Sequence, residues 1–337
     1  MECKGLSVNI FRTRKWTNFI GCIILLGIFS CACQRENPSE KDAAFVSGDE
    51  ITMQSGDTDG DQNGYERTEE ISESDEGGAK EDGAQQELTW ETYPWQMKPG
   101  EVTMENLLVT ALAPVGQTMY IWGGGWNEED TGAGPDATTL GLSPLWAEFA
   151  AQQTAEYDFH DYKYEIHKGL DCSGYVGWVI YNLFETTNGQ EGYVMKSGLM
   201  AENFADRGWG SYTPAGEVTD WQTGDIMSMN GHVWMSLGSC EDGSVLILHS
   251  SVTGVSVCGT SLPDTERSQA VILAEEFMST YYPDWYVKFP DCSRPYRYLT
   301  ESGRFRWDGE VLQDTWDLKA LEPEELLSSL GQKFLAK

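Results

Sequence analysis

Residues suited to covalent catalysis by a thiol cluster in the second half of the chain. Cys172 lies within Leu170-Asp171-Cys172-Ser173-Gly174-Tyr175. A thiol attacks as its thiolate, and it needs a base within hydrogen-bond reach to become one. Four histidines are available for that role: His160, His167, His232 and His249. His232 opens the run Val233-Trp234-Met235-Ser236-Leu237-Gly238, whose alternation sets Val233, Met235 and Leu237 on one face and His232 on the other. His249 closes a second run, Val245-Leu246-Ile247-Leu248. His160 and His167 sit in polar, aromatic-rich sequence and are expected to face solvent or serve structure.

Local elements must position these groups. Val176, Val179, Ile180 and Leu183 follow Cys172 at helical spacing, so the thiol is expected at a helix N-terminus. Unpaired N–H groups and the helix dipole there favour a thiolate, which predicts a lowered thiol pKa, and Asp171 is suited to capping. Two hairpin registers are open for the histidine strands. A four-residue loop, Ser239 to Asp242, sets His232 directly opposite His249, with Val233 facing Leu248 and Met235 facing Leu246. A two-residue turn at Asp242-Gly243 instead offsets the histidines by roughly 13 Å of strand.

Composition excludes several functions. The formal net charge is −32, from 54 acidic and 22 basic residues. That opposes the phosphate neutralisation which nucleic-acid binding needs, so no nucleic-acid partner is expected. The Gly123-Gly124-Gly125 run lacks the Lys-Ser/Thr of a phosphate-binding loop and is expected to be a turn beside a cleft. Residues 31–88 form an acidic, Ser/Gly/Gln-rich tether that self-repels and extends. Within it, Asp59, Asp61, Asn63 and Glu70 match an EF-hand loop pattern. The flanks lack helix-forming sequence, so the match is read as a decoy, and no metal or cofactor is expected.

Residues 1–30 read as a secretory signal: Lys4, Arg12, Arg14 and Lys15 precede an apolar run from Phe19 to Phe29. The run falls short of the roughly 20 residues of a bilayer-spanning helix. Ile28-Phe29-Ser30-Cys31 is similar to a bacterial lipobox, with Cys31 as lipid acceptor and Cys33 as fallback, which implies attachment to the membrane through an N-terminal lipid. Beyond the signal region four cysteines remain, Cys172, Cys240, Cys258 and Cys292, with room for one disulfide among the last three.

Four stretches, in order, resemble the NlpC family of papain-like cell-wall cysteine peptidases. They are Tyr120-Ile121-Trp122-Gly123-Gly124, Asp171-Cys172-Ser173-Gly174-Tyr175, Gly224-Asp225-Ile226 with Gly231-His232-Val233, and Leu248-His249-Ser250. The resemblance implies an α+β, papain-like fold in which the nucleophile helix packs on an antiparallel sheet carrying the histidines. It further implies Cys172 as nucleophile, His232 as general acid and base, and His249 as the residue orienting the His232 ring. The Cys172 N–H and Tyr120 hydroxyl would form the oxyanion site, while Trp122, Asp171 and Ser173 would line the substrate site. The implied partner is peptidoglycan or its muropeptides, cut at stem-peptide amide bonds outside the cytoplasm.

On this basis residues 89–111 are a lead-in with one helix, 112–300 the peptidase domain and 301–337 a C-terminal extension. Residues 125–170 are an insertion where the family has a much shorter link, with a short helix expected from Pro144. Because the insertion borders the cleft, a different amide or ester substrate and a non-catalytic wall-binding role both stay open.

Overall fold

A computed structural model of the protein describes residues 96–335. The expected signal, the lipidation candidates Cys31 and Cys33, the tether and its Asp59, Asp61, Asn63 and Glu70 lie outside the described residues.

The fold is α+β, with helices on both faces of a seven-stranded mixed sheet. In chain order come α1 (Met104–Leu112), α2 (Pro144–Ala151), α3 (Cys172–Phe184) and α4 (Met200–Asp206), followed by β1 (Gly210–Thr213), β2 (Ile226–Met229), β3 (His232–Ser239), β4 (Val245–Ser251) and β5 (Gly254–Thr260). Then come α5 (Gln269–Tyr281), α6 (Pro283–Lys288), β6 (Ser293–Arg294), α7 (Arg297–Glu301), β7 (Gly303–Trp307) and α8 (Pro323–Leu330). The sheet order is β1-β7-β2-β3-β4-β5-β6. The expectation of an antiparallel sheet holds for all pairs except β5 with β6, which run parallel. The connection between these two strands carries α5 and α6, which supplies the long crossover that a parallel pair requires.

One face of the sheet packs on α3. Val233, Met235, Leu246 and Leu248 join Tyr175, Trp178 and Val179 in the main core. The opposite face is also apolar: Met227, Trp234, Ile247 and Cys258 form a second core under Tyr298 and Leu299 of α7. The folded unit extends past both expected boundaries. Helix α1 lies wholly in the main core, and β7, drawn from the stretch marked as an extension, fills the sheet between β1 and β2. Asp225 ties β7 in place through Arg306, with Nε–Oδ1 at 2.9 Å and Nη2–Oδ2 at 2.6 Å. This two-pronged, charge-assisted pair gives the Gly224-Asp225 stretch an architectural role.

The histidine hairpin takes neither anticipated register. Met235 pairs with Leu248 and Ser236 with Ile247, and the pairing then shifts so that Ser239 meets Val245. The slip occurs around Gly238, which at φ +104 occupies backbone space that favours glycine. The Cys240 N–H donates to the Ser244 carbonyl at 2.7 Å, closing a tight loop over Glu241 to Gly243. Relative to direct opposition of His232 and His249, the register has moved by two residues. Side chains repeat every two residues along a strand, so both imidazoles stay on one face and meet diagonally.

Residues 125–170, the stretch expected as an insertion, contribute to the core. Trp146 of α2 packs edge-on against Trp178 of α3 with ring centroids 5.6 Å apart, and both are buried. Tyr157 donates its hydroxyl to the Tyr120 carbonyl at 2.6 Å. Trp146→Ala is therefore expected to cost about 3–5 kcal/mol of folding stability in urea unfolding of the full chain. A loss below about 1 kcal/mol would mean that the insertion stands apart from the core.

Candidate active site

The start of α3 is built by backbone packing of two glycine-bearing segments. The Asp171 N–H donates to the Gly124 carbonyl at 2.9 Å. Gly174 presses on the Gly124 carbonyl and the Gly125 Cα so closely that a β-carbon has no room. Asp171 caps the helix: its Oδ1 accepts from the Gly174 N–H at 2.7 Å and from the Ser173 hydroxyl at 2.8 Å. The indole N–H of Trp126, from the insertion, donates to Ser173 Oγ at 3.0 Å. Asp171 and Ser173, expected to line a substrate site, are thus both buried and bonded to each other. Burial raises the Asp171 pKa to about 6 against these hydrogen bonds, leaving a carboxylate at neutral pH.

Cys172 is the first residue of α3 and 6% exposed. Its thiol pKa is raised, not lowered as the helix N-terminus alone predicts. Burial, and then the Asp171 charge, push it up to about 12, although the Val233 N–H donates toward the sulfur. Magnitudes explain the outcome. A helix terminus is worth about 0.3–1 kcal/mol, whereas a rise of about three pKa units corresponds to about 4 kcal/mol. Desolvation wins, and the resting group is a thiol.

The residue before Val233, His232, begins a chain of three nitrogen side chains. His232 Nε2 and His249 Nδ1 are 2.9 Å apart, and Arg294 Nε donates to His249 Nε2 at 3.0 Å. A guanidinium has donors only, so His249 Nε2 must be unprotonated. The neutral His249 ring then carries its proton on Nδ1 and donates it to His232 Nε2. The proton of neutral His232 is left on Nδ1. Burial lowers the pKa of His232, helped by His249, Arg294 and Arg297. Burial likewise lowers His249, against an opposing pull from Cys258.

An imidazolium at His232 bears protons on both nitrogens, so it needs His249 Nδ1 as an acceptor. That moves the His249 proton onto Nε2, against the Arg294 N–H. The hydrogen bonds therefore describe a neutral, resting arrangement, latched by Arg294.

Tyr120 and Tyr298 complete the site. Each lies close enough to Cys172 for the thiolate charge to raise its own pKa, with burial as the main cause. The Tyr298 ring stands 5.2 Å from His232 and 6.0 Å from His249, centroid to centroid. Phe159 of the insertion packs edge-on against Tyr120 at 5.6 Å. Trp122 is 47% exposed, and its backbone carbonyl accepts from the Tyr164 N–H. The site thus gathers Cys172, Asp171, Ser173, Tyr120, His232 and His249. His160 and His167 form separate contacts with Asp158 at 2.7 Å and with Asp136 at 3.0 Å. Among the described residues no group of three His, Cys, Asp or Glu side chains could hold a metal ion.

Arg294 and Tyr298 were not anticipated from sequence. Both come from Arg294-Pro295-Tyr296-Arg297-Tyr298, far along the chain from the motif stretches. The chain matches no family model, no curated protein and no solved structure.

The Asp171 charge can be separated from its capping role, because asparagine also caps helices. Asp171→Asn removes the anion beside the sulfur, lowers the thiol pKa, and is expected to speed iodoacetamide labelling of Cys172 at pH 8 by about 3–10-fold, tenfold corresponding to one pKa unit. An unchanged rate would show that burial alone holds the thiol neutral.

Proposed function

We propose that the chain is an exported cysteine hydrolase of papain-like, NlpC type that cleaves amide bonds in peptidoglycan stem peptides. The observation that carries this reading is a helix-start cysteine whose sulfur takes the Val233 N–H, one residue from His232, which is hydrogen-bonded to His249 on the next strand. Cys172 acts as nucleophile, His232 as general acid and base, and His249 orients the His232 ring.

The cycle begins when Arg294 releases His249 Nε2: the His249 proton moves from Nδ1 to Nε2, the His232 proton moves from Nδ1 to Nε2 and is donated to His249 Nδ1, and the vacated His232 Nδ1 takes the thiol proton. The thiolate adds to the substrate carbonyl, and the developing oxyanion is stabilised by the Cys172 N–H and the Tyr120 hydroxyl. Collapse expels the amine, which leaves with the His232 proton. Water, deprotonated by the same ring, then hydrolyses the thioester. The bond following D-glutamate in the stem peptide is the preferred target. Attachment through lipid on Cys31 or Cys33, and reach through the acidic tether, would bring the domain to the wall.

One observation favours a second reading. The insertion bonds Ser173 through Trp126 and packs on Tyr120 through Phe159, so it shapes the same cleft. A cysteine hydrolase acting on another amide or ester fits that remodelling.

Full-length protein incubated with purified wall fragments is expected to release cut stem peptides, followed by mass spectrometry. Cys172→Ala should release none, and His232→Ala should slow release by about 10²–10⁴-fold. Equal product from wild type and Cys172→Ala would reject the proposal. Intact wall fragments together with labelling of Cys172 that depends on His232 would support the second reading.

A further inference from the structure

Two of the buried cysteines lie outside the proposed chemistry yet border it. Gly259 of β5 is paired with Ser293 of β6 in parallel register, and the Gly259 N–H donates to the Cys292 carbonyl at 2.8 Å. The residues just before that pair are Cys258 and Cys292, on neighbouring strand backbones. Neighbouring strands lie about 4.8 Å apart, within the Cα separation that a disulfide spans. Both side chains are buried, and each thiol has the other as a direct polar contact.

The surroundings favour exchange chemistry at this pair. Cys258 also touches His249 and feels the Arg294 charge, and Ser256 Oγ lies 3.4 Å from its sulfur. With Cys292, these neighbours pull Cys258 towards the thiolate despite burial, while Cys292 is held as a thiol. One thiolate beside one thiol is the pairing that thiol–disulfide exchange uses. Cys172 and Cys240 lie elsewhere, on α3 and in the β3–β4 loop.

We propose that Cys258 and Cys292 are a disulfide site, closed while the chain folds in an oxidising compartment. Both S–H bonds break and one S–S bond forms. The two electrons and two protons pass to a disulfide oxidant, which leaves as two thiols. The bond ties β6 to β5 two residues before Arg294, and so fixes the strand whose guanidinium grips His249. This inference shares with the proposed function only the export of the chain, because the pair can close whether or not Cys172 is a nucleophile.

The test uses the full chain, refolded with oxidised and reduced glutathione, alkylated and digested without reductant. Mass spectrometry is expected to find the Cys258 and Cys292 peptides joined, with Cys172 and Cys240 alkylated. Reducing the wild-type protein should lower Tm by about 6–12 °C, the shift expected for a loop of this length in a domain of this size. Cys292→Ser should show the lower Tm under both conditions. Recovery of Cys258 and Cys292 as separately alkylated peptides, or either one joined to a different cysteine, would overturn the proposal.

Discussion

The site depends on one constraint: a guanidinium cannot accept a hydrogen bond. Arg294 Nε sits 3.0 Å from His249 Nε2, and this contact sets the direction of every proton between Arg294 and His232. The contact needs β6 on the far side of β5 and His249 on the inner β4, so it depends on the parallel strand that closes the sheet. Arg294 is itself held by its strand, donating from Nη1 to the Ser293 carbonyl at 2.7 Å and to the Asp291 carbonyl at 3.3 Å. The buried charge is thereby directed at the imidazole.

Burial gives the site its resting character. Both imidazoles are held neutral, and the thiol is held protonated, by the same loss of water. Two charges border the thiol and the histidines: the Arg294 guanidinium holds His249, and the Asp171 carboxylate lies next to Cys172, while His232 keeps partial exposure. Thiolate formation therefore calls for a change in one of them: release of His249 by Arg294, or compensation of the Asp171 charge. The insertion contributes to the dryness, since Tyr157, Phe159 and Trp126 cover the Tyr120 and Ser173 flank.

Short-range features were legible in the sequence. Helical spacing after Cys172 and Pro144 at the start of α2 both correspond to elements, because each depends on residues within one or two turns. The shared face of His232 and His249 was legible as well, since alternation has a period of two and survives a two-residue slip. The register itself was not, because the bulge around Gly238 leaves no mark in the alternation. Arg294 and Tyr298 were invisible for a different reason: they reach the histidines through strand order, which local pattern does not encode. The thiol pKa was misjudged because the helix dipole can be read from one segment, whereas desolvation is imposed by β3, the Gly123-Gly124-Gly125 turn and the insertion together.

The orientation of the proton chain can be measured directly by nitrogen-15 NMR of the histidine rings in full-length protein at pH 7. The account predicts that His249 carries its proton on Nδ1, with Nε2 unprotonated, and that Arg294→Met shifts the His249 tautomer population toward Nε2–H. A wild-type His249 protonated on Nε2, or tautomers indifferent to Arg294→Met, would contradict the latch.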